Sequence, residues 1–127
     1  MPVPGLTKSF VADIAIPARR IVKFGSSDNN ITLCGAAPAT AGMLGVSDRA
    51  GDALAGDRVD VIMSDIAEVI LGGTVTRGDL LTSDANGAAV TANPAAGVNV
   101  MVVGIAMASG VAGDIIDAQV DVDRIQG

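Results

Sequence analysis

The sequence has no histidine, tryptophan or tyrosine, a single cysteine and only two phenylalanines. Each absence removes a class of function. Without histidine the commonest general base and metal ligand is missing, and Ser–His and Cys–His nucleophile pairs are excluded. With Cys34 alone no intrachain disulfide can form, which rules out a disulfide-stapled extracellular scaffold. Basic residues are few: eight Lys and Arg against fourteen Asp and Glu leave a net charge of −6. A phosphate-tracking surface needs clustered Lys and Arg, so no nucleic-acid partner is expected. The one dense basic run, Arg19, Arg20 and Lys23, reads as the wet side of a strand. Residues Met1 to Phe10 lack the basic-then-apolar order of a signal peptide. Ala85 to Gly113 carries no charge, yet Asn86, Asn93, Pro94, Asn99 and several glycines interrupt it. No run of about twenty apolar residues survives there, so a buried or interfacial pair of strands is expected and no membrane span.

What is present is a small, aliphatic, β-patterned chain. Its 127 residues suit one domain. Half of them are apolar, and the mean hydropathy is +0.52. The core must be assembled from Val, Ile, Leu, Met and twenty-one alanines, each burying little area. Because a small domain leaves much of its surface outside, part of this apolar material is expected in a subunit interface. The chain is therefore expected to be a homo-oligomer or to dock on a partner.

Apolar runs are short, β-branched and punctuated by Gly, Asn and Asp, the signature of strands. Strands are expected near Phe10–Ile14, Arg20–Phe24, Ile31–Cys34, Met43–Val46, Arg58–Met63, Ala67–Leu71, Asp79–Thr82, Ala88–Thr91, Val100–Ala106 and Ile115–Val122. Helix is confined to a short turn near Arg49–Leu54 or Asn93–Ala96. Turns fall at Ser27-Asp28-Asn29-Asn30, Gly72-Gly73 and Ala85-Asn86-Gly87, where Asn-Gly suits a tight hairpin.

An internal echo supports this organisation. Leu44-Gly45-Val46 is followed by Ala55-Gly56-Asp57 and then Val59-Asp60-Val61; later Val103-Gly104-Ile105 is followed by Ala112-Gly113-Asp114 and then Ile116-Asp117-Ala118. A third pair, Gly78-Asp79, opens the strand at Leu80. Gly supplies the unusual dihedral and Asp caps the turn through backbone N–H groups. The expected fold is mainly β: a single small β-barrel or β-sandwich-like domain over residues 10–127, an extended N-terminal arm over residues 1–9, and little helix.

Candidate chemistry is sparse. Cys34 sits beside Leu33 in an apolar strand and reads as a small core residue rather than a reactive thiol. Gly42-Met43-Leu44-Gly45 lacks the Lys and the spacing of a phosphate-binding loop. Asp48, Asp52, Asp57 and Asp60 cluster in sequence and offer oxygen ligands, but their spacing does not match an EF-hand loop, and turn capping accounts for them. Asp57 and Asp114 would make a carboxylate pair only if the echo brought them together. Arg77-Gly78-Asp79 spells an adhesion tripeptide that a strand-entry turn explains equally well. A biotinyl or lipoyl carrier needs a lysine at a hairpin tip, and Lys8 and Lys23 lie in no such context. No cofactor or metal is expected, and no catalytic residue.

Taken in order, Ala18-Arg19-Arg20-Ile21-Val22-Lys23-Phe24, Leu44-Gly45-Val46-Ser47 and Ala55-Gly56-Asp57-Arg58-Val59-Asp60-Val61 resemble a family of tailed-phage and prophage capsid cement (head decoration) proteins. The likeness continues through Gly73, Val75 to Asp84 and Gly87, and closes on Gly104 and Ala112-Gly113-Asp114, covering about Leu6 to Gln126. The resemblance implies a non-enzymatic virion protein on the outer capsid surface, often trimeric, that binds the major capsid protein and stabilises its lattice. It has no catalytic residues to carry over. The alternative is a non-enzymatic β-barrel binding module of another assembly. Pro2 and Pro4 favour an extended backbone, and with Val3 and Leu6 they form the candidate contact segment toward capsid or neighbouring subunits.

Overall fold

The computed structural model describes residues 6–36, 42–48 and 52–126. Among the described residues ten strands follow one another: β1 (Thr7–Ala12), β2 (Ile21–Phe24), β3 (Asn30–Leu33), β4 (Met43–Ser47), β5 (Arg58–Ile62), β6 (Asp65–Ile70), β7 (Leu80–Ser83), β8 (Ala89–Thr91), β9 (Asn99–Ala106) and β10 (Ile115–Gln126). Each expected strand is present with shifted ends, and no described residue is helical. At the two places where a helical turn was expected, Ala53 instead bridges Ile16, and a turn closes from the Val98 N–H to the Ala95 carbonyl. Residues 49–51 lie outside the described set. β1 begins ahead of its apolar residues because pairing needs only backbone groups. Thr7, Lys8 and Ser9, grouped above with the arm, face Ile62, Val61 and Asp60 of β5.

β1 to β5 form a closed barrel in the order β1-β3-β2-β4-β5, and β6 to β10 form a second sheet in the order β6-β10-β9-β7-β8. These are the same topology twice. β1 pairs with β5 as β6 pairs with β10, and Phe10 opposite Val59 matches Val69 opposite Ile116. Val22 opposite Gly45 matches Leu81 opposite Gly104, and Val46 opposite Ile62 matches Ile105 opposite Gln119. The parallel seam that closes the barrel, Ala12 beside Ile31, returns as one parallel bridge between Leu71 and Ala89. The chain is thus two tandem copies of one five-stranded unit, a duplication that the echoed Gly-Asp turns mark only in part.

Each unit has two tight turns at equivalent places. Leu54–Asp57, Thr76–Asp79 and Val111–Asp114 all close by an N–H from the aspartate to the first residue's carbonyl, at 2.9 to 3.0 Å. The glycine before each aspartate has φ between +90° and +95°, the third-position requirement of a type II turn. The aspartate carboxylate then accepts the first residue's N–H at 2.9 to 3.0 Å. The fourth turn, Pro17–Arg20, breaks the pattern: Arg19 holds φ at 63°, and the Ser47 hydroxyl accepts the Arg20 N–H at 3.0 Å and donates to the Pro17 carbonyl at 2.9 Å. The left-handed conformation costs an Arg about 1–2 kcal/mol.

What offsets that cost is the junction between the two units. Arg19 and Arg20 are not on a solvated strand face, as expected from their charge, but wedge into the opening of the second sheet. The Ile70 N–H donates to the Arg19 carbonyl at 3.1 Å, and the Ile21 N–H to the Gly87 carbonyl at 2.7 Å. Arg19 Nε meets Glu68 Oε1 at 3.1 Å, and Arg20 Nη1 donates to the Asn86 carbonyl at 3.0 Å. In the first unit the matching Val11 N–H bonds Asn29 of its own barrel, so that seam is shut.

Two clusters make the core. Phe10, Ala12, Ile16, Val22, Ile31, Ala53, Val59 and Val61 fill the barrel. A larger cluster joins the second unit's interior, including Val69, Leu71, Leu81, Ile116 and Ala118, to Ile21, Val46 and Ile62 from the outside of the barrel. The duplicates fill equivalent space differently. Beside the first seam Asp13 faces Gly25, and its carboxylate accepts bonds from Ser26 and Asn30. Beside the second seam the roles reverse: Gly72 faces Asp84, which accepts the Asn86 and Ala88 N–H groups at 2.8 and 3.0 Å. The hydrogen bonds from Asn30 and then Ser26 hold the Asp13 carboxyl below its ordinary value.

Candidate contact surface

Several of the candidate side chains are bonded to backbone groups of the fold. Asp48, Asp52, Asp57 and Asp60 do line one cleft, of about 490 Å³, with Arg58 among them. Within it Asp52 Oδ1 accepts the Ala18 N–H at 3.0 Å and Asp57 Oδ2 accepts the Leu54 N–H. Among the described residues no three acidic or sulfur side chains converge as a metal site. Asp57 and Asp114 occupy matching turns of separate units and line separate clefts, so the echo does not pair them. Asp79 of the adhesion-like tripeptide is tied to the Thr76 N–H and the Thr91 hydroxyl, both at 2.9 Å. Lys8 lies 5.0 Å from the Phe10 ring, a cation–π contact that places its stem along the barrel.

Cys34 is 1% exposed and packs in the larger core cluster. Burial pushes its thiol up to about 12, against a small opposing pull from Lys23. The thiolate is the reactive form, so iodoacetamide at pH 8 is expected to leave native Cys34 unmodified and to alkylate it fully in urea. Because the folded value lies above the unfolded one, this group's contribution is intact below pH 9 and is lost as pH rises toward 12. Rapid native alkylation would overturn the core assignment.

The surface is where unpaid apolar area lies. Leu6, Ile14, Phe24, Leu54, Ile105, Met107, Val111 and Ile115 are exposed. Of the contact residues expected from sequence, Pro2, Val3 and Pro4 lie outside the described residues. Leu6 is described and 60% exposed, with its N–H on Ser64 Oγ at 2.8 Å and its carbonyl on the Met63 N–H at 2.7 Å. The backbone at the head of β1 is therefore anchored at the link between the two units, while the Leu6 side chain points to solvent. The other exposed residues were not legible from sequence, because an apolar residue in a strand reads as core until the fold shows which face is covered. The uncharged stretch divides the same way: Val100, Val102, Val103 and Ala106 are buried, but Ile105 and Met107 are not. No described helix is long and apolar enough to cross a membrane.

Residues 3–122 match the family model of the phage cement protein. The chain belongs to that family. It is accordingly a structural protein of the phage capsid and a component of the virion. No curated protein sequence matches this cement-family chain. Among solved structures, the head fiber gp8.5 N base of bacteriophage phi29 is similar in fold, with a TM-score of 0.63 at 22% sequence identity, over 91% of this chain and 93% of that one. The likeness spans both units of the cement-family chain.

Proposed function

We propose that the chain is a non-enzymatic capsid cement protein that binds the outer surface of a phage head as a trimer, contacts the major capsid protein and stabilises its lattice. The observation that carries this reading is the family match over residues 3–122. The architecture supports it physically. A clamp needs a rigid body, and the described strands of the first unit close into a barrel with no unpaired edge among them to slip or aggregate. Its interior is filled by side chains, as a barrel well below eight strands must be. Filling of the interior by these described residues weighs against a ligand-binding barrel.

Contact with the capsid is assigned to Pro2, Val3, Pro4 and Leu6, at the head of β1. The matching test is to delete residues 1–5, stopping short of the paired residues of β1. Binding to purified shells, measured by co-sedimentation, is expected to weaken by about tenfold or more, with the unfolding midpoint unchanged. Unchanged shell occupancy would remove the segment from the contact. A wild-type chain that stays monomeric and ignores shells would instead favour a binding module of another assembly.

A further inference from the structure

The two units act as internal controls for each other's surfaces. In the first unit Ile21, Val46 and Ile62 form one outward face, and it is sealed: their exposures are 0%, 0% and 5%, because the second unit packs on it. The paired positions in the second unit are Leu80, Ile105 and Gln119. There the same face is open, with Ile105 40% exposed. Beyond it the units diverge. Asp48 donates its N–H to Asp60 as Met107 donates to Asp117, and Val11 faces Arg58 as Ile70 faces Ile115. The first unit thus carries Asp48 and Arg58 where the second carries Met107 and Ile115, at 46% and 50% exposed. The fold tolerates charge at both places, so the apolar pair is not demanded by folding.

We infer that this open face of the second unit, centred on Ile105, Met107 and Ile115, is the subunit interface, covered by the first unit of another copy of the chain. What covers the sealed face within the chain shows what fits the open one: a second five-stranded unit. Inside the chain, Arg20 and Ile21 lie against the Gly87 turn, where a Cβ would come within 3.0 Å of the Ile21 carbonyl oxygen. The matching turn of the first unit is Ser27–Asn29, which is exposed beside Phe24, itself 50% exposed. That turn and Phe24 are the surface offered to the neighbouring copy. The contact joins unlike surfaces, so it closes only as a ring, which a trimer satisfies. Because Val11 already bonds Asn29, the neighbour cannot insert its backbone as Arg19 does within the chain. Side chains then carry the contact.

This inference rests on the trimeric reading above, and its test separates the two. Sedimentation equilibrium of the full chain is compared with Met107→Asp combined with Ile115→Arg, the residues the first unit holds at those positions. The wild type is expected as a trimer and the double variant as a monomer that keeps the wild-type far-UV circular dichroism and a cooperative unfolding transition, its midpoint lowered by the lost association. Phe24→Ser, which installs the residue the second unit has at Ser83, is expected to dissociate the trimer from the other side of the contact. Trimers that persist in both variants would overturn the assignment while leaving the cement reading intact. A wild-type chain that is monomeric in solution and on shells would overturn the assignment directly. A trimer that both variants dissociate, but that does not bind shells, would sink the cement reading and keep this interface.

Discussion

Replacing Gly104 with alanine is expected to destabilise the protein by about 3 kcal/mol or more, and Gly45→Ala by a similar amount. In an ordinary strand the change would help slightly, since glycine there is about 0.5–1 kcal/mol worse than alanine. These two glycines are different. A Cβ at Gly45 would run into the carbonyl oxygen of Ile62, and a Cβ at Gly104 into that of Gln119. Both obstacles are backbone of the next strand, held by ladder hydrogen bonds, so no side chain can swing aside. The β4–β5 or β9–β10 ladder must spread instead. For a chain this size the unfolding midpoint should fall by about 10 °C. Gly56→Ala makes the control: nothing lies near its Cβ, and only its φ of +90° is strained, so a loss nearer 1 kcal/mol is expected. Equal midpoints for Gly104→Ala and Gly56→Ala in thermal unfolding would show that the close approach is not what requires glycine.

The second large effect is a coupled pair. Leu71→Ala should cost about 3 kcal/mol, because Leu71 is 2% exposed in the larger cluster and its loss leaves a cavity. Gly110→Ala should cost about 1–2 kcal/mol on its own, since a Cβ there comes within 2.9 Å of Leu71 Cδ1. The first unit solves the same site with Ala12 and Ala53, where Ala53 bridges Ile16 as Gly110 bridges Val75. Making both changes recreates that pair. The double variant is therefore expected to be more stable than the sum of the single losses by about 1 kcal/mol, read from urea unfolding of all four proteins. Strict additivity would mean that the two residues do not share the space the geometry gives them.

These predictions show where reading the chain alone stops. Short β-branched runs broken by Gly, Asn and Asp were enough to locate ten strands, because strand pairing and turn chemistry are local. The Gly-Asp turns were equally plain, and each aspartate caps the turn it closes. The full duplication was hidden at one turn, where Arg19 and Arg20 replace Gly and Asp. There the requirement is set by Glu68, Ile70 and Asn86 of the other unit, residues distant in sequence. Of the candidate arm, Leu6 to Ser9 are held by Ser64, Met63 and β5, partners about fifty residues away that the sequence does not reveal, while Pro2, Val3 and Pro4 lie outside the described residues.

From its residues alone, then, this chain was determined to be β-structured, without the groups for histidine or disulfide chemistry, and richer in apolar side chains than a small body can hide. Those properties follow from composition and from contacts a few residues apart. Only the tertiary structure decided that one five-stranded unit is built twice, closed in the first copy and open in the second, and that Arg19 and Arg20 form a wedge between the copies. Only it showed that Ile21 and Val46 are sealed while Ile105 and Met107 stand open. Which face of a strand is covered depends on what packs against it, and here the covering unit comes from the other half of the chain.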